Sequence, residues 1–235
     1  AVRKAGLEAP MITAGIVDAS SPHAEAILRA AAALGIRRYR WGGFKYDDSK
    51  PIPQQLAALR SRVKDLAAMN RHYNIAAMYH THSGMEVGAF TPFLWMIKCL
   101  WEILHDVDPQ YAGVNYDVAH ATAEGGFGGW IRSAQLCAGL MLGVALKDFV
   151  WSRNPKGAWV IQWRPPGEGM VQFPRFLAML KAARFDGPVQ VHYEYAGLGG
   201  AEHGAAKLDA PRAQVIAQMK RDADFYRARL REAGL

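Results

Sequence analysis

Imidazole, carboxylate and ammonium side chains occur together at the ends of four short apolar segments of the chain. These residues are His80, His82, Asp117, His120, Lys147, His192 and Glu194. Nitrogen and oxygen ligands of this kind bind Mn²⁺, Co²⁺, Zn²⁺ or Mg²⁺ and leave coordination positions open for a sugar hydroxyl or carbonyl. A bound cation polarises the carbonyl, so that a nearby carboxylate can remove the proton from the adjacent carbon.

The segments that carry these side chains have the composition of β-strands and alternate with segments of helical character. The predicted strands are 11–17, 37–41, 75–82, 111–118, 143–150 and 188–195. The predicted helices are 21–34, 53–72, 92–105, 129–141, 173–184 and 210–233. Ser21 and Pro22 have the pattern of a helix start, and the glycine-rich run 125–129 is interpreted as a flexible loop.

Strand and helix alternate six times, which predicts an α/β protein with parallel strands. Right-handed crossovers then place the carboxyl ends of all strands on one side, where the polar residues would meet. At a mean step of roughly 35 residues, the eight units of a (β/α)₈ barrel would need roughly 280 residues. We therefore expect residues 1–235 to form an incomplete TIM barrel of about six βα units, with two units absent, most simply before residue 1.

An incomplete barrel has two unpaired strand edges, here near 11–17 and 188–195. Unpaired edges invite association with another strand. The sequence therefore predicts either that the natural chain is longer or that this chain self-associates as a homo-oligomer.

Composition limits the class of protein. The 235 residues are 51% hydrophobic and 21% charged, as in globular proteins, and the net charge of +7 favours anionic partners. Much of the positive charge lies in helix-like segments and is interpreted as solvated helix faces. Cys99 and Cys137 are too few for a disulfide framework and are predicted to be buried free thiols.

The chain has no apolar stretch long enough for a membrane span and no signal-peptide core at residues 1–10. We expect a cytoplasmic protein, and an export signal on a preceding segment stays an open alternative because the sequence does not start with Met. The four remaining histidines have the context of surface positions; they are His23, His72, His105 and His203.

Period-two alternation in strands sorts the candidate residues by face. His80 and His82 are two residues apart, as are His192 and Glu194, so each pair is expected to point the same way.

Four motifs around these residues occur in the order seen in a known group of proteins. They are 117–121 (DVAHA), 146–149 (LKDF), 166–173 (PGEGMVQF) and 187–195 (GPVQVHYEY). In these motifs the chain resembles the sugar phosphate isomerases/epimerases of the xylose isomerase-like TIM-barrel superfamily. Segments 79–84, 87–89 and 199–204 fit one branch of it. The resemblance runs from about residue 11 to the C-terminus and implies that the six strands correspond to strands three to eight of the barrel.

The resemblance implies one divalent metal ion, which the superfamily holds with a Glu, an Asp, a His and a final Glu. Asp117 and Glu194 match the second and fourth positions, and His80 stands at the first. The third position is Ala145 instead of His. The implied metal set is therefore His80, Asp117 and Glu194, with His82 or His120 as a replacement ligand.

The resemblance also implies roles in catalysis. Glu194 is expected to abstract the proton, while Lys147 and His120 hold substrate oxygens as part of the catalytic set. His82 and His192 are expected to contact substrate. Glu168, in a Gly-Glu-Gly loop, is a further candidate contact, with a loop or helix-capping role as the alternative.

The function that follows is isomerisation or epimerisation of a sugar or sugar phosphate by metal-assisted proton transfer, with lyase or dehydratase chemistry close by. One alternative is a nucleic-acid enzyme of the AP endonuclease branch, which is disfavoured because such enzymes use three metals. Another is a sugar-binding protein that has lost the metal. The expected partner is a small sugar or sugar phosphate, with no membrane partner.

Overall fold

The structure, a computed structural model, describes residues 2–83 and 95–235. Its strands are β1 Met11–Thr13, β2 Arg38–Arg40, β3 Ala76–His80, β4 Ala112–Asp117, β5 Met141–Leu146, β6 Asp148–Arg153, β7 Trp159–Arg164 and β8 Val189–Val191. Its α-helices are α1 Ala24–Ala33, α2 Ile52–Tyr73, α3 Trp95–Leu104, α4 Val118–Cys137, α5 Phe173–Ala182 and α6 Arg212–Ala233.

Six strands form one parallel sheet in the order β1-β2-β3-β4-β5-β8. The sheet curls into a half-barrel with helices along its outer face, which confirms the predicted incomplete TIM barrel. Because all six strands run the same way, their carboxyl ends lie at one edge of the sheet.

Each strand divides its side chains between the helices and the barrel interior. Tyr116 of β4 points outward, where its hydroxyl donates to the Trp130 carbonyl of α4 at 3.0 Å and its ring stacks on Phe176 of α5. Asn115 and Asp117 therefore point inward, as period-two alternation requires. The apolar core fills the space between sheet and helices, and the interior of the barrel is left for polar groups.

The predicted strand 143–150 is wrong in one respect, because it is two strands. β5 ends at Leu146, and β6 begins at Asp148 and pairs antiparallel with β7, a hairpin that the sequence reasoning did not predict. The Asp148 carboxylate accepts hydrogen bonds from the backbone N–H groups of Phe149, Gly167, Gly169 and Val171 at 3.0–3.1 Å. These four bonds turn the chain out of the sheet and anchor the loop that follows the hairpin.

The predicted start of the fourth helix is also wrong. The Asp117 side chain caps a helix that begins at Val118, so α4 includes the run 125–129 that was predicted to be a loop. Gly126, with φ 57° and ψ −158°, kinks the helix there.

The first helix starts later than the Ser-Pro pattern predicted. It begins at Ala24 after His23 in the left-handed conformation, and the Ser21 hydroxyl instead accepts bonds from the backbone of Val17 and Asp18. Several strands are shorter than predicted, β1 and β8 most of all. Residues 92–94 of the predicted third helix lie outside the described residues, as does the motif 87–89.

The basic helices agree with the interpretation of solvated helix faces. On α2, Arg60 and Lys64 both pair with Asp106, and Arg62 pairs with Asp18. The other ion pairs of the two basic helices are Arg71–Asp108, Lys220–Asp224, Arg221–Asp222, Arg227–Asp224 and Arg229–Glu232. Most of the basic side chains of these two helices thus have an acidic partner within the chain.

The structure also tests the predictions for the cysteines, the surface histidines and a membrane span. Cys137 is a buried free thiol whose pKa is raised to about 12 by burial, and the side chain of Cys99 lies outside the described part. The four histidines predicted for the surface are exposed. Within residues 2–83 and 95–235, none of the helices has the length and apolar character that crossing a bilayer requires.

The two edges of the sheet lead to a first prediction. In the described residues, β1 pairs only with β2 and β8 pairs only with β5. Because the outer N–H and C=O groups of these strands are unpaired, we expect the apparent mass to rise with concentration in sedimentation equilibrium. A single monomeric mass at all concentrations would contradict this.

The Asp148 anchor leads to a second prediction. Asp148→Ala leaves four backbone N–H groups without their acceptor, so we expect a loss of about 3 kcal/mol in the free energy of unfolding. Hydrogen exchange should speed up in residues 165–171. The control is Asp186→Ala, whose carboxylate is 94% exposed and should change stability by less than about 0.5 kcal/mol. Equal free energies of unfolding for Asp148→Ala and Asp186→Ala would contradict the role of Asp148 as an anchor.

Candidate active site

The Lys147 ammonium lies at the centre of the polar cluster. Its Nζ donates to both oxygens of Glu194, each at 2.8 Å, and lies 2.8 Å from His120 Nε2. It also sits over the ring of Trp163, 4.1 Å from the centroid. The side chain is almost completely buried, so this charge depends on these partners instead of water.

Asp117 joins the end of β4 to the start of α4. Its Oδ1 accepts hydrogen bonds from the backbone N–H groups of Ala119 at 2.9 Å and His120 at 3.1 Å. Its own N–H donates to Thr81 Oγ1 at 2.8 Å. The side chain is fully buried, and Oδ2 has no hydrogen-bond partner among the described residues.

Four nitrogen atoms surround this Oδ2 at distances longer than a hydrogen bond. They are Lys147 Nζ at 3.4 Å, His80 Nε2 at 3.8 Å, His120 Nε2 at 3.9 Å and His192 Nδ1 at 4.0 Å. Burial alone would raise the pKa of Asp117, but the Lys147 ammonium holds it well below its usual range. The carboxylate is therefore ionised, and its Oδ2 faces these four nitrogen atoms.

The four histidines come from three places in the barrel and pack together. The His80 and His192 ring centroids are 5.1 Å apart, and those of His82 and His120 are 3.9 Å apart. Ser83 Oγ lies 2.8 Å from His120 Nδ1, which fixes the second nitrogen of that ring. Burial lowers the pKa of His80 well below its usual value and that of His120 to about 3, so both rings are neutral.

The residues fit a divalent cation. His80, Asp117 and His192 each offer one ligand atom, and these atoms all lie within 4.8 Å of one another. Two imidazoles and one carboxylate with an open position are a common donor set for catalytic zinc. Asp117 Oδ2, which accepts no hydrogen bond from the residues that the structure describes, is the ligand atom best suited to a positively charged group.

This set differs from the one that the sequence implied. Glu194 was expected among the ligands, but Lys147 holds both of its oxygens, and His192 takes the place nearer to Asp117. Ala145, which replaces the expected His, is buried on β5, and β8 is the neighbouring strand, with Gln190 opposite Ala145. An imidazole missing from one strand is thus available from the adjacent one.

The structure brings seven of the eight predicted site residues together and leaves Glu168 apart. His82 is half-buried beside His120. Glu168 is exposed, interacts electrostatically with Arg221 of α6, and has no hydrogen bond to the cluster within the described ranges.

Trp163 was missed by the sequence reasoning. It comes from β7 of the unpredicted hairpin and contacts both Lys147 and His120. The aromatic and β-branched residues of 159–164 (WVIQWR) are the signal that would have found it.

Comparisons with known proteins agree with this architecture. Residues 13–226 match the xylose isomerase-like TIM barrel family. No curated protein has significant sequence similarity to the chain.

Several solved structures share the fold at low identity. A xylose isomerase domain protein from Planctomyces limnophilus has 18% identity and a TM-score of 0.63, over 89% of this chain and 65% of that one. The D-allulose 3-epimerase from Methylomonas sp., in complex with D-allulose, has 17% identity and a TM-score of 0.62, over 97% and 79%. The IOLI protein with a bound zinc atom has 14% identity and a TM-score of 0.66, over 92% and 75%.

These likenesses show the fold, and the chain spans slightly less than two thirds of the length of the first of these proteins. The family match covers most of the chain and includes the four strand ends that build the cluster, those of β3, β4, β5 and β8. The chain therefore belongs to the xylose isomerase-like TIM barrel family.

Proposed function

We propose that this chain isomerises or epimerises a sugar or sugar phosphate by moving a proton next to a carbonyl group. The observation that carries the proposal is the buried Asp117 Oδ2, which has no hydrogen bond within residues 2–83 and 95–235 and is surrounded by nitrogen atoms at the mouth of the barrel. A buried oxygen of an ionised carboxylate that lacks a hydrogen bond is costly, and such a cost is typical of sites that bind a ligand or cation.

His80, Asp117 and His192 would hold the divalent cation. When bound, such a cation polarises a substrate carbonyl and acidifies the neighbouring C–H group. The family member whose solved structure has a bound zinc atom supports a metal in this kind of barrel.

Glu194 is the proposed base. Burial would raise its pKa, but His192 and Lys147 lower it to about 2, so the side chain is a carboxylate at neutral pH. It is one-third exposed, unlike Asp117, and is therefore accessible to a substrate at the mouth of the barrel. A carbon-bound proton would be received on the oxygen that faces the substrate.

Lys147 and His120 would hold the substrate oxygens. The ammonium already donates to Glu194 and faces His120 Nε2, so Nε2 is the acceptor and the ring carries its hydrogen on Nδ1 beside Ser83. A substrate alkoxide or carbonyl oxygen would take over one donor of Lys147, and a substrate hydroxyl would donate to His120 Nε2. The positive charge of Lys147 would stabilise the negative charge that develops on the substrate.

The substrate class follows from these donors and acceptors. A cation, an ammonium, an imidazole acceptor and a carboxylate around one space suit a polyhydroxylated carbonyl compound. The solved epimerase with bound D-allulose supports a small sugar. Loss of a neighbouring hydroxyl from the same deprotonated substrate would give dehydration, which product analysis distinguishes.

A third prediction concerns Glu194. With a panel of ketoses, aldoses and their phosphates in D₂O, we expect ¹H NMR to show exchange of the hydrogen next to the carbonyl. Glu194→Gln should slow this exchange by about 10²- to 10⁴-fold, because the amide cannot accept the proton. The matched control is Glu25→Gln on the exposed side of α1, which should exchange at the wild-type rate. Exchange at the wild-type rate in Glu194→Gln with the fold intact would refute the assigned role.

A fourth prediction concerns the cation. Mn²⁺, Co²⁺ or Zn²⁺ should bind at about one ion per chain in isothermal titration, and His80→Ala or His192→Ala should weaken binding at least about tenfold. The control His203→Ala removes an exposed imidazole and should bind normally. Absence of binding in the wild type would favour the sugar-binding protein without a metal.

A further inference from the structure

A second polar layer lies in the barrel interior next to the proposed cation ligands. Asn115 of β4 is fully buried, and its side-chain amide lies between His80 and Gln190. The Asn115 Nδ2 atom is 3.3 Å from His80 Nδ1, and Gln190 Nε2 donates to Asn115 Oδ1 at 2.9 Å. Three side chains, from β3, β4 and β8, therefore form one hydrogen-bonded row that ends on His80.

The backbone leaves room for this amide. A Cβ atom at Gly143 of β5 would lie 3.2 Å from Asn115 Oδ1 and 2.9 Å from Met78 Sδ. The pairing of β4 with β5 also shifts register between Val114 and Asn115. The local structure thus accommodates the Asn115 amide between its neighbours.

The hydrogen-bonded row contacts His80 Nδ1, the ring nitrogen that does not face Asp117. A neutral imidazole carries one hydrogen, and the nitrogen that carries it cannot bind a cation. His80 Nε2 faces Asp117, so the ring can be a ligand only when its hydrogen is on Nδ1, next to Asn115. The group at Asn115 therefore decides which tautomer is favoured.

We propose that Asn115 is a positioning residue that holds His80 as the Nδ1–H tautomer when a divalent cation binds. This inference rests on the proposed cation site and adds which residue sets the tautomer of one of its ligands, His80. In the binding state, Asn115 Oδ1 accepts the His80 Nδ1–H, and Asn115 Nδ2 donates to Gln190 Oε1. Relative to the orientation in the structure, both amides are turned by 180°, which exchanges nitrogen and oxygen with almost no change in shape.

Two substitutions at Asn115 test the proposal by Zn²⁺ titration. Asn115→Leu removes the acceptor and should weaken Zn²⁺ binding by about 10- to 100-fold, the usual effect of losing the partner of a ligating histidine. Asn115→Asp can only accept when ionised, so it selects the same tautomer and should bind Zn²⁺ as tightly as the wild type or more tightly.

The control for lost stability is Asn70→Leu. Asn70 is also fully buried and hydrogen-bonded, to Tyr39 and to the Tyr111 carbonyl, but it lies on α2 outside the barrel. It should lose stability and keep its Zn²⁺ affinity. Circular dichroism checks the fold of each variant.

The position of the hydrogen can be observed directly. In long-range ¹H–¹⁵N spectra of the Zn²⁺-bound protein, we expect His80 to be protonated at Nδ1 in the wild type and in Asn115→Asp. Unchanged Zn²⁺ affinity in a folded Asn115→Leu would overturn the proposal, and so would a tenfold loss of affinity in Asn115→Asp. If the leucine variant does not fold, the result for the aspartate variant is decisive by itself. If His80→Ala and His192→Ala bind Zn²⁺ normally, the proposed cation site itself fails.

Discussion

The arrangement of the site depends on one buried carboxylate with two different oxygens. Oδ1 of Asp117 caps the first turn of α4, and Oδ2 faces the barrel interior without a hydrogen bond. Removing such a charge from water costs several kcal/mol, which is offset here by Lys147 and by the positive end of the helix. The end of β4, the start of α4 and the charge of the cluster are therefore coupled through a single side chain.

Lys147 lies at different distances from the two carboxylates of the cluster. Its ammonium lies closer to Glu194 than to Asp117, at 2.8 Å against 3.4 Å. It therefore hydrogen-bonds to the more exposed carboxylate and stabilises the charge of the buried one from a longer distance. In the proposed function the partly exposed carboxylate, Glu194, is the base, and the buried carboxylate, Asp117, is the cation ligand.

Much of the architecture could be predicted because it depends on local pattern. Apolar strands with polar ends gave the parallel sheet and brought Asp117, Lys147 and Glu194 to one edge. The start of α4 was missed because Asp117 ends a strand and caps a helix at once, and glycine-rich residues follow it. The hairpin was missed because Asp148 redirects the chain through bonds to residues about twenty positions away. The proximity of His192 to Asp117 depends on how β5 and β8 lie side by side, which no local pattern contains.

The central claim is that the cation ligands are two imidazoles and one carboxylate, with Glu194 left to Lys147. X-ray absorption at the zinc edge of the Zn²⁺-loaded protein counts imidazole ligands through their multiple-scattering signal. The account predicts two imidazoles in the wild type and one after removal of the His192 ring. One imidazole in the wild type, unchanged after that substitution, would contradict it and would favour the set of His80, Asp117 and Glu194.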